Sequence, residues 1–468
     1  MKTAIHWFRR DLRLTDNTAL RQAAAFGEAI VPVYVASEWQ KSHGWTGPHR
    51  QQFLCESLKA LDASLREKGG KLIVRQGSAL VELIKLVQET KAEAIFFNRD
   101  PDPFGRAVEE KLAKWGKENG VRIEAYQDHC LHERDEVLNG SGEPYRVFTA
   151  YAKNWSRLPK VESHRRVPTL KFRDHVRSEA LPSLQTWGLA PDGEILAGGE
   201  AAARERMKGF LDKRIGQYAD RRDMVGEEGI SRLSQDLRHG LISIRELYER
   251  CQAEIEKRKG AERRSVEVYV RELIWREFYM QILWHHPEVL EEEFAPQFRG
   301  LRWSRDQADF RRWREGTTGF PIVDAAMRQL NETGFMHNRA RMIVAMFLTK
   351  DMRLDWRLGE KYFMQQLVDG EIASNNGGWQ WSAGTGADAA PYFRIQNPWT
   401  QTKRFDPDGK YIKRWVPELR DVAPARFAKE PAGSLAKGYP APMLNHAQAR
   451  ERTLEMFAAY RRAVGSQK

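Results

Sequence analysis

The chain has 468 residues, 41% hydrophobic and 30% charged, the composition of a globular protein with room for two or three domains. No stretch approaches the roughly 20 apolar residues of a membrane span, and the opening MKTAIHWFRRDLRL has too short an apolar run for a secretory signal, so a cytoplasmic, nucleoid-associated protein is expected. Lysine and arginine outnumber acids 76 to 64, a net charge of +12, which favours a polyanionic partner without specifying one.

Residues 1–130 alternate between two periods. Apolar, β-rich runs predict strands at 4–8, 29–35, 71–75, 92–98 and 121–126, and helical patterns cover 51–68, 79–90 and 105–119. Ser78 is placed to cap the helix that follows it. Five strands spaced by helices read as an open parallel α/β sheet, with a ligand site at the strands' carboxyl ends. The fingerprint GxGxxG is absent here, so no dinucleotide is placed in this domain by Rossmann logic. Residues 131–200 are rich in Pro, Gly, Ser and basic side chains and read as an interdomain linker. From 201 to 468 strand-like runs vanish, and 201–215, 265–285 and 324–350 carry 3.6-residue periodicity, so this is an all-α domain.

Four segments carry polar groups suited to chemistry. In RELIWREFY, Glu272, Trp275, Arg276 and Tyr279 fall on one helical face, while Ile274, Phe278 and Ile282 line another. The first face suits a planar heteroaromatic ligand, or is a solvated face with a Glu–Arg pair. In GISRLS, Ser231 and Ser234 at a helix start suit a phosphate, or simply a cap. Asn338, Arg339 and Arg341 of MHNRARM suit anion and base contacts, or a charged helix surface. In DGEIASNNGGWQW, consecutive Asn and Gly residues are expected to break the preceding helix and expose backbone beside two Trp.

Together these segments, with WFRRDLRL at the start and KYIKRWVPELRDV near the end, resemble the photolyase/cryptochrome family over nearly the whole chain. TGFPIVDAAMRQL and EIASNNGGWQWSAGTGADAAPYFRIQNP follow the family pattern as well. The likeness is to the bacterial, class I-like members that act on cyclobutane pyrimidine dimers. It implies an antenna-binding α/β domain (1–130), a linker (131–200) and a helical, FAD- and DNA-binding catalytic domain (201–468). FAD, active when fully reduced, would be held by Tyr218, Ile230, Ser231, Arg232, Leu233, Ser234, Arg341, Asp369, Gly370, Glu371 and Asn375. Ile230 departs from the Thr often found there. Asn375 would face flavin N5, where light sensors often carry Asp or Cys.

The same resemblance implies UV-damaged DNA as partner, with the dimer flipped into a cavity. Trp275 and Trp381 would stack on its bases, Glu272 and Asn338 would hydrogen-bond them, and Met342 would pack beneath. Arg222, Arg339 and Arg394 would meet phosphates, with Gln401 nearby and Arg276 and Tyr279 on the same DNA-facing side. Trp379, Trp356 and Trp303 match the family's electron-carrier chain. Asn338 and Met342 stand where relatives that repair (6-4) products carry histidines. Three scattered cysteines, Cys55, Cys130 and Cys251, exclude the iron–sulfur branch with its four ligands. The alternative is a blue-light sensor of the cryptochrome type, without repair. For the antenna, NRDPDPFGRAVEE departs from the folate pattern. That favours 8-hydroxy-5-deazaflavin over methenyltetrahydrofolate, with Asp100 a candidate contact. A monomer is expected.

Overall fold

The structure, a computed structural model, describes residues 2–37, 44–191 and 193–465. The chain divides into two compact units, Met1–Ala219 with Ser231–His285 and Asp220–Ile230 with His286–Lys468.

The first unit contains a five-stranded sheet in the order β3-β2-β1-β4-β5, every pairing parallel. Its strands are β1 (Thr3–Phe8), β2 (Ala29–Ala36), β3 (Ile73–Gln76), β4 (Ala94–Asn98) and β5 (Arg122–Tyr126). Every residue of β1, β2 and β4 is buried, as in parallel sheets covered on both faces. Ile5 lies opposite Val31 and Ile95, and Trp7 opposite Val33 and Phe97. Such rows of branched and aromatic side chains fix the register, since a slip of one residue would turn each to the other face. Strand order reverses between β1 and β4, and there the carboxyl ends bring Asp11 to Asn98 (2.7 Å) and Arg10 to Asp100 (2.9 Å).

Among the described residues the intervening helices are α1 (Thr18–Phe26), α2 (Pro48–Glu67), α3 (Ala79–Thr90) and α4 (Pro103–Asn119). The sequence pattern misses α1, which starts where Asn17 Oδ1 accepts from Leu20 N at 3.1 Å. Ser78 occupies the cap position of α3 but makes no side-chain cap bond. The turn is instead closed through the main chain, Glu82 N donating to Ser78 O at 2.9 Å. Among the described residues of 131–200 the regular elements are the helix Phe148–Arg157 and a short 3-10 turn at Leu184–Trp187, before the helix that starts at Glu200. The helices Glu200–Lys213, Ile244–Lys257 and Gly260–His285 also belong to this unit.

In the second unit the described regular elements are helical. Its core gathers Trp313, Phe320, Phe347, Trp356, Trp379 and Trp399. The periodic stretch 324–350 is not one helix. Gly334, at φ 62°, ends Pro321–Thr333, and His337 caps Asn338–Met346, which runs into a π-helical turn at Phe347–Asp351. The Asn-Asn-Gly-Gly run is also unlike its expectation: it lies inside the helix Ile372–Ala383. Long-range bonds override its poor helix propensity. Asn376 Nδ2 donates to Val289 O (2.8 Å) and Glu360 Oε1 (2.9 Å). Gln380 Nε2 donates to Val289 O (2.8 Å) and Glu292 O (3.0 Å).

Candidate functional site

The residues named from the sequence fall in both units. In the first, the helix Gly260–His285 carries Glu272, Trp275, Arg276 and Tyr279 half-buried along one face. Ile274, Phe278 and Ile282 on the other face are buried, as the periodicity requires. The Trp275 ring stacks on Phe148, with centroids 3.6 Å apart and planes 5° off parallel. Arg276 Nη1 donates to His129 O at 2.6 Å, so its guanidinium is anchored within the protein. Phe148 was not legible as a site residue, because it sits in the segment read as a linker.

Glu277, on the same helix, is also new. It is buried and accepts from Leu131 N (2.7 Å), His132 N (3.1 Å) and Trp155 Nε1 (2.7 Å). Burial outweighs these three donors and pushes its carboxyl up to about 7.

Tyr218 is buried, edge-on to Tyr269 at 5.1 Å. After it, Arg232 adopts φ 58°, a left-handed conformation uncommon outside glycine. The turn is held by Leu233 N donating to Ser231 Oγ (3.3 Å) and Gln235 Nε2 to Arg232 O (2.6 Å). Leu233 is buried and Ser234 exposed. The pair of hydroxyls lies at a helix start, but neither one caps it. Ser234 begins a five-residue helix, Ser234–Arg238, whose cap position is Leu233, and Ser231 lies in the turn before it.

At the carboxyl end of β4, Asp100 meets Arg10 at 2.9 Å and Arg9 at 3.5 Å. Burial pushes its carboxyl up, but the Arg10 and Arg9 guanidiniums outweigh this and hold it below the usual carboxylate range. Its neighbour Asp102 goes the other way, raised by burial and by the Asp100 charge. Gly105 lets α4 pack here: a Cβ at that position would lie 2.2 Å from Asp100 Cβ.

In the second unit, Arg341 Nη2 reaches both oxygens of Asp369, at 2.8 and 3.1 Å, and its Nε holds Met336 O at 2.9 Å. Gly370 and Glu371 follow, both buried. Asn375 is nearly buried on Ile372–Ala383, and its Nδ2 is committed to Glu360 O at 3.0 Å. That bond leaves the carboxamide oxygen as its accepting group. Burial also pushes the Glu360 carboxyl up to about 8. Ile230 ends the short segment Asp220–Ile230 and is half-buried.

Asn338, exposed, and Met342, half-buried, stand one turn apart on Asn338–Met346. Arg339 sends Nε and Nη2 to Asp223 Oδ1 at 3.2 and 2.8 Å, and Arg222 lies 4.0 Å from the same oxygen. Trp381 is half-buried on Ile372–Ala383. Arg394 is exposed in 384–397, and Gln401 is half-buried on the helix Pro398–Phe405.

Trp379 and Trp356 are fully buried and Trp303 is half-buried. A Cβ on Gly359, one turn after Trp356, would lie 2.1 Å from the Trp379 ring. The missing side chain is what lets these helices approach so closely. Trp356 Nε1 and Trp303 Nε1 both donate to Glu293 Oε1 at 3.2 Å.

The donor set of the second unit fits a flavin. An isoalloxazine edge alternates carbonyl acceptors with N–H donors, and a guanidinium, a carboxylate and an oriented carboxamide oxygen answer both. His337 Nε2 and Trp379 Nε1, each four positions from Arg341 and Asn375 respectively, are buried with no partner among the described residues. A parallel α/β sheet followed by a helical region with this donor set is the arrangement of a flavoprotein.

Comparison with known proteins narrows this. Residues 4–170 match the family described as DNA photolyase, and residues 269–459 the FAD binding domain of DNA photolyase. A deoxyribodipyrimidine photo-lyase of Synechococcus is 39% identical over 94% of this chain and 93% of its own. The crystal structure of a bacterial class III photolyase from Agrobacterium tumefaciens aligns with TM-score 0.91 and 36% identity, over 99% of this chain and 98% of that one. An archaeal photolyase from Sulfolobus tokodaii, solved with two FAD molecules, aligns with TM-score 0.85 and 34% identity, over 98% and 100%. The chain belongs to the DNA photolyase family. Among the described residues no helix is long and apolar enough to cross a membrane.

Proposed function

We propose that the chain is a lyase that splits cyclobutane pyrimidine dimers in UV-damaged DNA, driven by light absorbed by reduced FAD. The observation that carries this is near-full-length identity to deoxyribodipyrimidine photo-lyases in a chain whose Arg341–Asp369 pair and oriented Asn375 suit a flavin. When bound, the cofactor supplies a photoexcited electron. Tyr218, Ile230, Ser231, Arg232, Leu233 and Ser234 would hold its phosphates and ribityl chain. Arg341, Asp369, Gly370, Glu371 and Asn375 would hold its ring system, Asn375 facing N5 with its carboxamide oxygen as the accepting group.

The chain's own groups bind and orient the lesion. A dimer stacks and pairs poorly, so flipping it out costs less than the few kcal/mol of a normal base. Trp275, its ring plane fixed by Phe148, and Trp381 stack on the extruded bases. Glu272 and Asn338 hydrogen-bond them, with Met342 beneath. Arg222, Arg339 and Arg394 contact phosphates, with Gln401, Arg276 and Tyr279 completing the DNA-facing set. Trp303, Trp356 and Trp379 would supply electrons to an oxidised flavin and would not carry the repair electron.

We assign antenna binding to residues 1–130, a linker to 131–200 and catalysis to 201–468, in a monomer associated with the nucleoid. For the antenna, 8-hydroxy-5-deazaflavin is favoured, with Asp100 acting beside Arg9 and Arg10. A second FAD is the other reading, favoured by the two FAD molecules of the Sulfolobus tokodaii relative. The absorption spectrum of protein from its native host separates these. For the main reading, purified protein is illuminated with dimer-containing DNA and loss of the lesion is followed. Loss in light and none in darkness is expected. No loss in light would instead support a sensor of the cryptochrome type.

A further inference from the structure

Glu293 lies in none of the motifs above, yet it joins two of the tryptophans. Its side chain is 5% exposed, and its Oε1 accepts from the indole N–H of Trp356 and of Trp303, each at 3.2 Å. Arg357 donates to both of its oxygens, Nη1 to Oε1 at 3.3 Å and Nη2 to Oε2 at 3.2 Å, and its guanidinium sits 4.4 Å from the Trp356 ring. One buried carboxylate oxygen shared by two indoles is an unusual arrangement, because a neutral indole N–H is satisfied by any carbonyl. What a carboxylate adds is negative charge and basicity at both nitrogens, strengthened where water is sparse. The two rings differ in exposure, Trp356 buried and Trp303 half-exposed, so the pair runs from interior toward solvent.

We infer that Glu293 is a positioning residue of the electron chain, which stabilises positive charge on Trp356 and Trp303 and takes the Nε1 proton of Trp303. This rests on the photoreduction reading of the three tryptophans. The oxidant is photoexcited oxidised FAD, which accepts one electron from Trp379. Trp356 refills Trp379, and Trp303 refills Trp356, leaving a radical cation on Trp303. Its Nε1–H bond then breaks toward Glu293 Oε1, giving a neutral indolyl radical hydrogen-bonded to a carboxylic acid. A thiolate in solution returns one electron, becoming a thiyl radical, and the proton moves back from Glu293 to Nε1. Without proton loss the vacancy can return the way it came, and transfer to Glu293 holds it at the surface. Arg357 opposes that transfer by stabilising the carboxylate, so Glu293 sheds the proton again once Trp303 is reduced.

The test is flash photolysis of the oxidised holoenzyme, following tryptophanyl radicals by transient absorption, which separates the protonated from the deprotonated form. E293Q keeps an acceptor oxygen but loses charge and basicity. Deprotonation about tenfold slower and a long-lived radical yield about tenfold lower are expected, the factor carried by one charge-assisted contact. A carboxylate acting only as a structural clamp would leave the protonation state of the radical unchanged. Unchanged timing and yield in E293Q protein that binds FAD normally would overturn the assignment. If E293Q does not fold, R357Q serves: faster proton loss supports the inference, and unchanged or slower loss sinks it. W303F separates the two levels. If the long-lived radical survives in W303F, the tryptophan chain itself is misassigned. If it vanishes there while E293Q behaves as wild type, only the role of Glu293 is wrong.

Discussion

Asp369 keeps 2% of its side chain exposed while its partner Arg341 keeps 25%. The carboxylate therefore depends on the guanidinium more than the reverse. Arg341→Met would strand a buried charge and also free the Met336 carbonyl. Breaking a fully buried pair costs about 3–5 kcal/mol, and the partial exposure of Arg341 brings the expected loss to about 2–3 kcal/mol. Urea unfolding and the ratio of FAD to purified protein measure it, and both should fall. Arg341→Lys keeps the charge but cannot reach Asp369 and Met336 together, so it should land between. At this scale the sequence was informative where short motifs carry chemistry. Arg341, Asp369 and Asn375 stand in such runs and could be named. Glu293 could not, because its bond to Trp356 spans 63 residues and nothing local marks it. The same holds for Glu360, whose contacts with Asn375 and Asn376 exist only once two helices are packed.

Two helices of the second unit meet at Gly359, where a Cβ would stand 2.1–2.6 Å from three ring carbons of Trp379. Gly359→Ala should gain up to about 1 kcal/mol in helix propensity. Overpacking a core costs about 1–3 kcal/mol, so the clash wins. The variant should melt earlier than wild type, and its Trp379 should respond more slowly to flavin excitation; a higher melting temperature would show that the rings yield. The helix Gly260–His285 offers a pH test through Glu277. Its carboxyl is raised from an ordinary value of 4.5 to about 7, so the folded chain holds that proton more tightly than the unfolded one. The stability it contributes is full below the unfolded value and is lost as pH rises through 7, by about 3 kcal/mol in all. Urea midpoints between pH 5 and pH 8 should fall in wild type and flatten in Glu277→Gln. Helix existence was legible from period, as in Gly260–His285, whereas Ile372–Ala383 was not, because tertiary bonds supply what its Asn and Gly residues lack.

For the whole molecule, the charge of +12 is a statement about partners, and local pairing modifies it. Arg222 and Arg339 share the Asp223 oxygen, which neutralises part of the charge on the two guanidiniums. If Arg222, Arg339 and Arg394 meet phosphates as proposed, three contacts give a slope of about −2.7 in log affinity against log salt. Raising salt from 50 to 200 mM should then weaken binding roughly fortyfold, as read by fluorescence anisotropy on a dimer-containing duplex. Arg394→Ala should flatten the slope by about one unit without changing preference for the lesion. The parallel sheet was readable almost strand for strand, because its buried runs leave no other period to choose. The grouping of residues 231–285 with the sheet-bearing unit was not, since contacts between distant segments leave no trace in composition.

The helix Ile372–Ala383 has a kinetic consequence. Its Asn-Asn-Gly-Gly centre cannot nucleate alone, and its stabilising bonds await Val289, Glu292 and Glu360. It should therefore gain structure after the rate-limiting barrier to folding. Substitutions there, such as Gln380→Ala, would speed unfolding while leaving the refolding rate nearly untouched. The segment proposed to face the flavin would then be the last to form and the first to open.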